Sequence, residues 1–171
     1  MASSTEIFDL GRLGLSSGEG RHLDLTVDLP ALVLAGQEYR APDPVAVRLD
    51  VSRTTAAGYS LRLRYSVLLT GPCMRCLEDA RRSADIDVRE IHQPGGGDDL
   101  QSPYLEGEDL DLRSWARDSL ALDLPAQIVC RDDCRGICPI CGTNLNEAGP
   151  EHEHERAPDP RWAKLSELRF E

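Results

Sequence analysis

The sequence predicts an α+β fold: an antiparallel β-sheet or partial barrel in the N-terminal part, one helix packed on it, and a C-terminal tail with a short helix but too few apolar residues for a core of its own. Three observations predict it. Two neighbouring stretches alternate apolar and polar residues with period two, one later stretch has helical spacing, and the tail concentrates cysteine and histidine.

Val45, Val47, Leu49 and Val51 alternate with Ala46, Arg48, Asp50 and Ser52. Tyr59, Leu61, Leu63, Tyr65 and Val67 alternate with Ser60, Arg62, Arg64 and Ser66. Successive side chains of a strand point to opposite faces, so each stretch reads as a strand with one buried and one solvated face. Residues 54–58 (TTAAG) suit a hairpin connection. Residues 22–29 (HLDLTVDL) alternate less cleanly and predict another strand, and residues 84–91 predict a fourth, with Ile86 and Val88 on one face. The gaps are too short for crossover helices, so the arrangement is antiparallel. Residues 92–103 (HQPGGGDDLQSP) have loop composition. Leu112, Trp115, Ala116 and Leu120 then recur at helical spacing, with Asp109 or Asp111 placed to cap the first turn and Pro125 to stop the last. Trp115 is the expected anchor of this helix on the sheet. Near the end, DPRWAKLSELRFE predicts a short helix carrying Trp162, Leu165 and Leu168. The chain divides into a β-rich domain with one helix, residues 1–125, and a Cys/His-rich tail with a short helix, residues 126–171.

Composition narrows the function classes. Of 171 residues, 40% are hydrophobic but only 5% aromatic, enough for one modest core of Leu, Val and Ala. The first residues lack the basic and apolar segments of a secretory signal, and the longest apolar runs, such as residues 31–36 (ALVLAG), are far too short to span a bilayer. The expectation is a cytoplasmic protein with no membrane partner and reduced thiols, in which six cysteines are better explained by metal than by disulfides. A net charge of −11 argues against nonspecific coating of nucleic acid. The charge is uneven: residues 48–82 carry seven Arg against three acids, a local +4, and residues 85–123 carry eleven acids against three Arg, a local −8. Two solvated faces of different sign account for this pattern; the sharper reading is that the basic stretch meets an RNA or an acidic protein, with Arg48, Arg62, Arg64, Arg75, Arg81 and Arg82 as the candidate contacts. The acidic run over residues 98–123 is a candidate for a basic protein.

The cysteines and nearby histidines fall into four pairs: Cys73 and Cys76 in CMRC, Cys130 and Cys134 in CRDDC, Cys138 and Cys141 in CPICG, His152 and His154 in EHEHE. Pairing across the sequence uses all eight donors, giving one site of Cys73, Cys76, Cys130 and Cys134 and a second of Cys138, Cys141, His152 and His154. A single site built from Cys130, Cys134, Cys138 and Cys141 is an alternative, as are other pairings or no metal. Four thiolates, or two thiolates and two imidazoles, complete a tetrahedral Zn2+ shell with no open position, so two such ions would be structural. Binding at structural zinc sites contributes on the order of 10–16 kcal/mol of apparent free energy, which would fold a tail short of apolar residues. The cysteine spacing matches neither common ferredoxin pattern. The second histidine of a metalloprotease motif would fall on Arg156 or Pro158. CMRC sits in an antiparallel context rather than the strand-helix context of a redox dithiol. No nucleophile–base pair or phosphate loop can be assembled, so an enzyme is not expected.

CMRCLE, the helix ending in LALDLP, CRDDCRGICPICGTNLNE and DPRWAKLSEL together resemble the YceD family, the large ribosomal RNA subunit accumulation proteins. The likeness runs from about Gly71 to Leu168, with CRGICPICGTNLN its strongest element, and a FDLGRL segment opens the N-terminal part. The resemblance implies a non-catalytic role in large-subunit rRNA accumulation and large ribosomal subunit biogenesis in the cytoplasm. The partner it implies is a large ribosomal subunit precursor, met through rRNA or a ribosomal protein, with no small-molecule substrate. Family tails often carry Cys-x-Cys where this chain has His152-Glu153-His154. That exchange makes the second site neutral with zinc, against about −2 for four thiolates. The rival expectation is a regulatory or protein-interaction module whose zinc thiolates sense oxidants.

Overall fold

The computed structural model describes residues 6–42 and 44–154. In chain order the strands are β1 (Ile7–Asp9), β2 (Gly20–Val27), β3 (Leu32–Leu34), β4 (Gln37–Tyr39), β5 (Val45–Arg53), β6 (Tyr59–Pro72), β7 (Asp79–His92), β8 (Leu105–Glu106) and β9 (Asp109–Asp111), followed by the helix α1 (Leu112–Asp123). All pairings between these strands are antiparallel.

The alternating stretches build the main sheet, in the order β2-β5-β6-β7. Its register sets apolar against apolar: Leu49 faces Leu63 and Val51 faces Leu61. A slip of one residue would turn every one of these side chains into water. β6 and β7 pair continuously from Tyr59↔His92 to Pro72↔Asp79, so the sheet extends into a long two-stranded arm. This arm starts β7 at Asp79, well before the predicted residue 84. Pairing with β6 holds residues 79–83 in a strand although only Ala80 among them is buried. β2 likewise ends at Val27, where its partner β5 begins at Val45.

α1 covers the inner face of the sheet with Leu112, Trp115, Ala116 and Leu120, all buried. Asp111 caps it by accepting from the Ser114 amide at 2.9 Å. Leu124 is already extended, as the following Pro125 requires. The Tyr65 hydroxyl donates to the Ala116 carbonyl at 2.5 Å, fixing the helix against β6. Five strands lie outside the sequence expectation. β1, β9 and β8 form a small sheet that joins the start of the chain to the start of α1, and β3 and β4 form a hairpin turning through Ala35 and Gly36, both at positive φ.

β4 positions the end of the arm. Arg40 and Thr70 exchange backbone hydrogen bonds of 2.9 Å in both directions, and the buried Tyr39 donates its hydroxyl to the Pro72 carbonyl at 2.6 Å. The approach needs Gly71: a β-carbon there would lie 2.5 Å from the Tyr39 ring and 2.7 Å from the Glu38 carbonyl oxygen. Beyond Gly71 lies a second, smaller core of Tyr39, Cys73, Cys76, Ala80, Ile128 and Cys134. The stretch after α1 therefore packs on the tip of the arm. The predicted helix with Trp162, Leu165 and Leu168 lies outside the described residues. Among the described residues no helix is long and apolar enough to cross a membrane.

Candidate metal centres

The tip of the arm is a knuckle. Cys73 N–H donates to the Glu78 carbonyl at 2.7 Å, Leu77 N–H donates back to the Cys73 carbonyl at 3.0 Å, and Arg75 N–H points at the Cys73 sulfur at 3.4 Å. The fold repeats this device at CPICG: Cys138 N–H donates to the Thr143 carbonyl and Gly142 N–H to the Cys138 carbonyl, both at 2.8 Å. The residue following the second cysteine takes a left-handed conformation in each, Leu77 at φ 66° and Gly142 at φ 73°. Such a turn aims two sulfurs to one side while backbone N–H groups face them.

The tail brings the second half of each cluster. Met74 N–H donates to the Ile128 carbonyl at 2.9 Å, laying the segment after α1 along the first knuckle and carrying Cys130 and Cys134 to it. Cys73 and Cys134 sulfurs stand 3.7 Å apart, Cys76 and Cys130 sulfurs 3.6 Å apart. A tetrahedron with zinc–sulfur bonds of about 2.3 Å has sulfur–sulfur edges of about 3.8 Å, so these thiols sit at ligand spacing. They are free thiols, not disulfides. The second cluster is Cys138, Cys141, His152 and His154. Its Cys141 sulfur lies 3.5 Å from His152 Nε2 and 3.3 Å from His154 Nε2, and the two imidazole nitrogens are 3.1 Å apart. In each cluster all four donor atoms lie within 4.8 Å of one another. The structure thus groups the eight predicted donors four and four across the sequence, and does not gather Cys130, Cys134, Cys138 and Cys141 into one set. The donor chemistry of both groups fits a soft or borderline tetrahedral cation such as zinc.

Electrostatics point the same way. Burial pushes the Cys73 thiol up, but N–H groups of Cys76, Arg75 and Cys130 outweigh it and bring the pKa down to about 6. Burial and the neighbouring sulfurs push Cys76 up to about 12. Cys130 is raised too, chiefly by burial, whereas Cys134 is lowered, chiefly by the Asn146 side-chain amide. Four thiols this close do not all ionise unaided, and a bound cation removes that obstacle. In the second cluster Cys138 is lowered by the N–H groups of Cys141 and Ile140, and Cys141 by Thr143. The first cluster is largely buried, with Cys73, Cys76 and Cys134 inside the small core, whereas Cys141 is exposed.

The six candidate arginines do not form one patch. Arg48, Arg62 and Arg64 lie on the open face of the main sheet, each paired with an aspartate: Arg48 with Asp24 at 3.1 Å, Arg62 with both oxygens of Asp87 at 2.7 and 2.5 Å, Arg64 with Asp50 at 2.6 Å. Asp24 and Asp87 come from neighbouring strands, so a charge count over residues 48–82 does not register them. The groove across this face, about 540 Å3, is lined by Asp24, Asp85 and Asp87 as well as Arg48 and Arg64. Arg75 belongs to the first cysteine cluster, donating to the Cys134 carbonyl at 3.1 Å and to Gln127 at 3.2 Å. Arg81 and Arg82 are exposed on β7 and make no ion pair among the described residues. Sequence reasoning missed Leu77, Thr143 and Asn146. The shared layout of CMRCLE and CPICGT could have pointed to Leu77 as the counterpart of Gly142. The same layout pairs Thr143 with Glu78, and Asn146 closes the CRGICPICGTNLN element, although nothing in that element assigned it a partner.

Comparison with known proteins bears on all of this. Residues 61–169 match the model of the family described as large ribosomal RNA subunit accumulation protein YceD. An uncharacterized protein of Mycobacterium tuberculosis is 34% identical over 94% of this chain and 79% of its own length. One of Mycobacterium leprae is 28% identical over 96% of this chain and 78% of its own. A Zea mays protein named large ribosomal RNA subunit accumulation protein YCED homolog 1, chloroplastic, is 28% identical over 85% of this chain and 60% of its own. No solved structure matches. The family match takes in the β6–β7 arm, α1 and all eight clustered donors, and the chain belongs to the YceD family of large ribosomal RNA subunit accumulation proteins.

Proposed function

We propose that this protein is a non-catalytic factor that acts in the cytoplasm on a large ribosomal subunit precursor and supports accumulation of its rRNA, with one structural zinc ion in each of its two clusters. The observation that carries the functional part is the family match over residues 61–169. The non-catalytic part is supported by the donor sets themselves. Cys73, Cys76, Cys130 and Cys134 complete one tetrahedron and Cys138, Cys141, His152 and His154 the other, leaving no position for substrate or water. Zinc held there supplies crosslinks rather than chemistry. The first joins the arm of the sheet to the segment after α1, and the second closes the loop that ends at His154.

The route to the precursor is through rRNA or a ribosomal protein. Of the candidate arginines, Arg81 and Arg82 can meet a phosphate without first giving up a carboxylate, whereas Arg48, Arg62 and Arg64 must exchange one. The test is depletion of the protein with rRNA quantified, together with sedimentation of the tagged chain. The expected result is a fall in large-subunit rRNA relative to small-subunit rRNA, and co-migration of the chain with large-subunit precursors. An unchanged rRNA ratio with the chain sedimenting alone would refute the reading. Zinc content of the purified protein checks the metal part separately, with two ions per chain expected.

A further inference from the structure

Asn146 lies between the two clusters and is a ligand of neither. Its side-chain oxygen accepts from the Arg135 backbone N–H at 2.8 Å, which fixes the orientation of the amide. The amide nitrogen therefore faces the Cys134 sulfur, at 3.4 Å, and donates also to Asn144 Oδ1 at 2.9 Å. Asn146 thus ties the far end of a small hairpin to a donor of the first cluster. The hairpin itself is held by the Ile137↔Asn144 bridge and by Leu145 N–H donating to the Gly136 carbonyl at 2.8 Å. Its base rests on the first knuckle, where Ile137 N–H donates to the Arg75 carbonyl at 3.2 Å, and its tip carries Cys138 and Cys141. From Asn146 the chain runs directly into the segment bearing His152 and His154.

The two clusters are not equally prepared. Three of the four cysteines of the first are buried, and they sit in a core anchored on β4 and the β6–β7 arm. Of the donors of the second, Cys138 is buried, but none belongs to either of the two packed hydrophobic clusters among the described residues. Its histidines arrive on a segment held by a few backbone bonds, Glu147 and Ala148 N–H to the Asn144 carbonyl and His152 N–H to the Gly149 carbonyl.

We infer that the clusters load in a fixed order, the four-cysteine cluster first, and that Asn146 is the positioning residue that passes the first loading to the second. The inference rests on the reading that both clusters hold zinc. Ligation would fix the position of the Cys134 sulfur, the acceptor that the Asn146 amide faces at 3.4 Å. The amide then holds the end of the hairpin, and the chain that follows starts from a fixed point, so less ordering is left for His152 and His154. Coupling of this kind is reciprocal: loading of the second cluster must tighten the first by the same factor.

The test uses the full chain, stripped of metal under anaerobic reducing conditions and titrated with cobalt(II), whose absorption distinguishes four-sulfur from two-sulfur, two-nitrogen coordination. The first equivalent is expected to give the four-sulfur spectrum and the second the mixed one. In Asn146→Ala the second equivalent should bind at least about 5-fold more weakly, the lower end of ordinary coupling between sites, and the first should weaken as well, because Asn146 is the outer-shell partner of Cys134. Removing the second cluster with His152→Ala and His154→Ala should weaken the first equivalent in the wild-type background, and much less in the Asn146→Ala background. This last comparison separates coupling from general destabilisation, and requires no Cys73 or Cys76 variant, which would also disrupt the smaller core. Filling of the mixed site first, or independent filling unaffected by Asn146→Ala, would overturn the inference. A chain that binds no cobalt at either cluster would sink the zinc reading itself, a distinguishable result.

Discussion

Leu77 and Gly142 occupy equivalent places in the two knuckles, yet only one of them is suited to its backbone. A non-glycine residue in the left-handed region carries a cost of about 1–2 kcal/mol, and Leu77 bears it while 56% exposed. Leu77→Gly exchanges that strain for the greater chain entropy of glycine, about 0.5–1 kcal/mol. The expected outcome in denaturant unfolding is neutral to stabilising by about 1 kcal/mol. Gly142→Ala should instead cost about 1 kcal/mol, and through conformation alone, because nothing lies within 4 Å of the added carbon. If both substitutions destabilise alike, the two knuckles are not equivalent. Gly71→Ala should be worse than either, about 2–3 kcal/mol, because its methyl group displaces the Tyr39 ring and the Glu38 carbonyl.

The open face of the main sheet is a lattice of cross-strand ion pairs. The Arg62 guanidinium holds the Asp87 carboxyl below its usual range, chiefly through their hydrogen bonds. A folded-state pKa below the unfolded one means that the pair contributes above the unfolded carboxylate range, near pH 4, and loses its contribution as pH falls through the depressed value. The pair is solvent-exposed and its effect is small. Acid unfolding of Arg62→Gln should nevertheless begin at a higher pH than that of the wild type. For the precursor, Arg81→Glu with Arg82→Glu should weaken association and lower its salt dependence by roughly one unit of slope per arginine that contacts phosphate. Arg62→Glu with Arg64→Glu should register first as lost stability, since Asp50 and Asp87 are left facing like charge. Equal loss of association from both pairs of reversals, at unchanged stability, would return the open face to contention.

Legibility followed the length of the signal at this scale. β5 and β6 were readable because several consecutive alternations leave only one register. β1, β3, β4, β8 and β9 have two or three residues each, too few for a period, and tertiary contacts such as Tyr39 against Gly71 determine them. The grouping of the cysteines was readable because knuckle geometry fixes the spacing of a Cys-x2-Cys pair. Asn146 was not, since its role rests on an amide meeting a sulfur across a hairpin. The local charge of residues 48–82 is offset by Asp24 and Asp87 on neighbouring strands, which a sum along the chain does not register.

Across the whole molecule the two cores divide the labour. The larger one, with the inner faces of β5 and β6, Trp115 and Leu120, contains no cysteine, while the smaller one contains three. Chelation should therefore leave the main sheet and α1 folded and release the segment over residues 126–154. Hydrogen exchange checks this: amides of β5 and β6 should stay protected while those of residues 134–146 lose protection. Collapse of both together would show that the sheet depends on metal as well. The arm has a further consequence for how the chain is made. Cys76 and Cys130 are fifty-four positions apart, and bringing them together through unstructured polypeptide would carry a loop-closure penalty. Once the arm and α1 have formed, only the short link after Asp123 remains to be ordered, so during synthesis the thiols are expected to meet late, after the strands have already found one another.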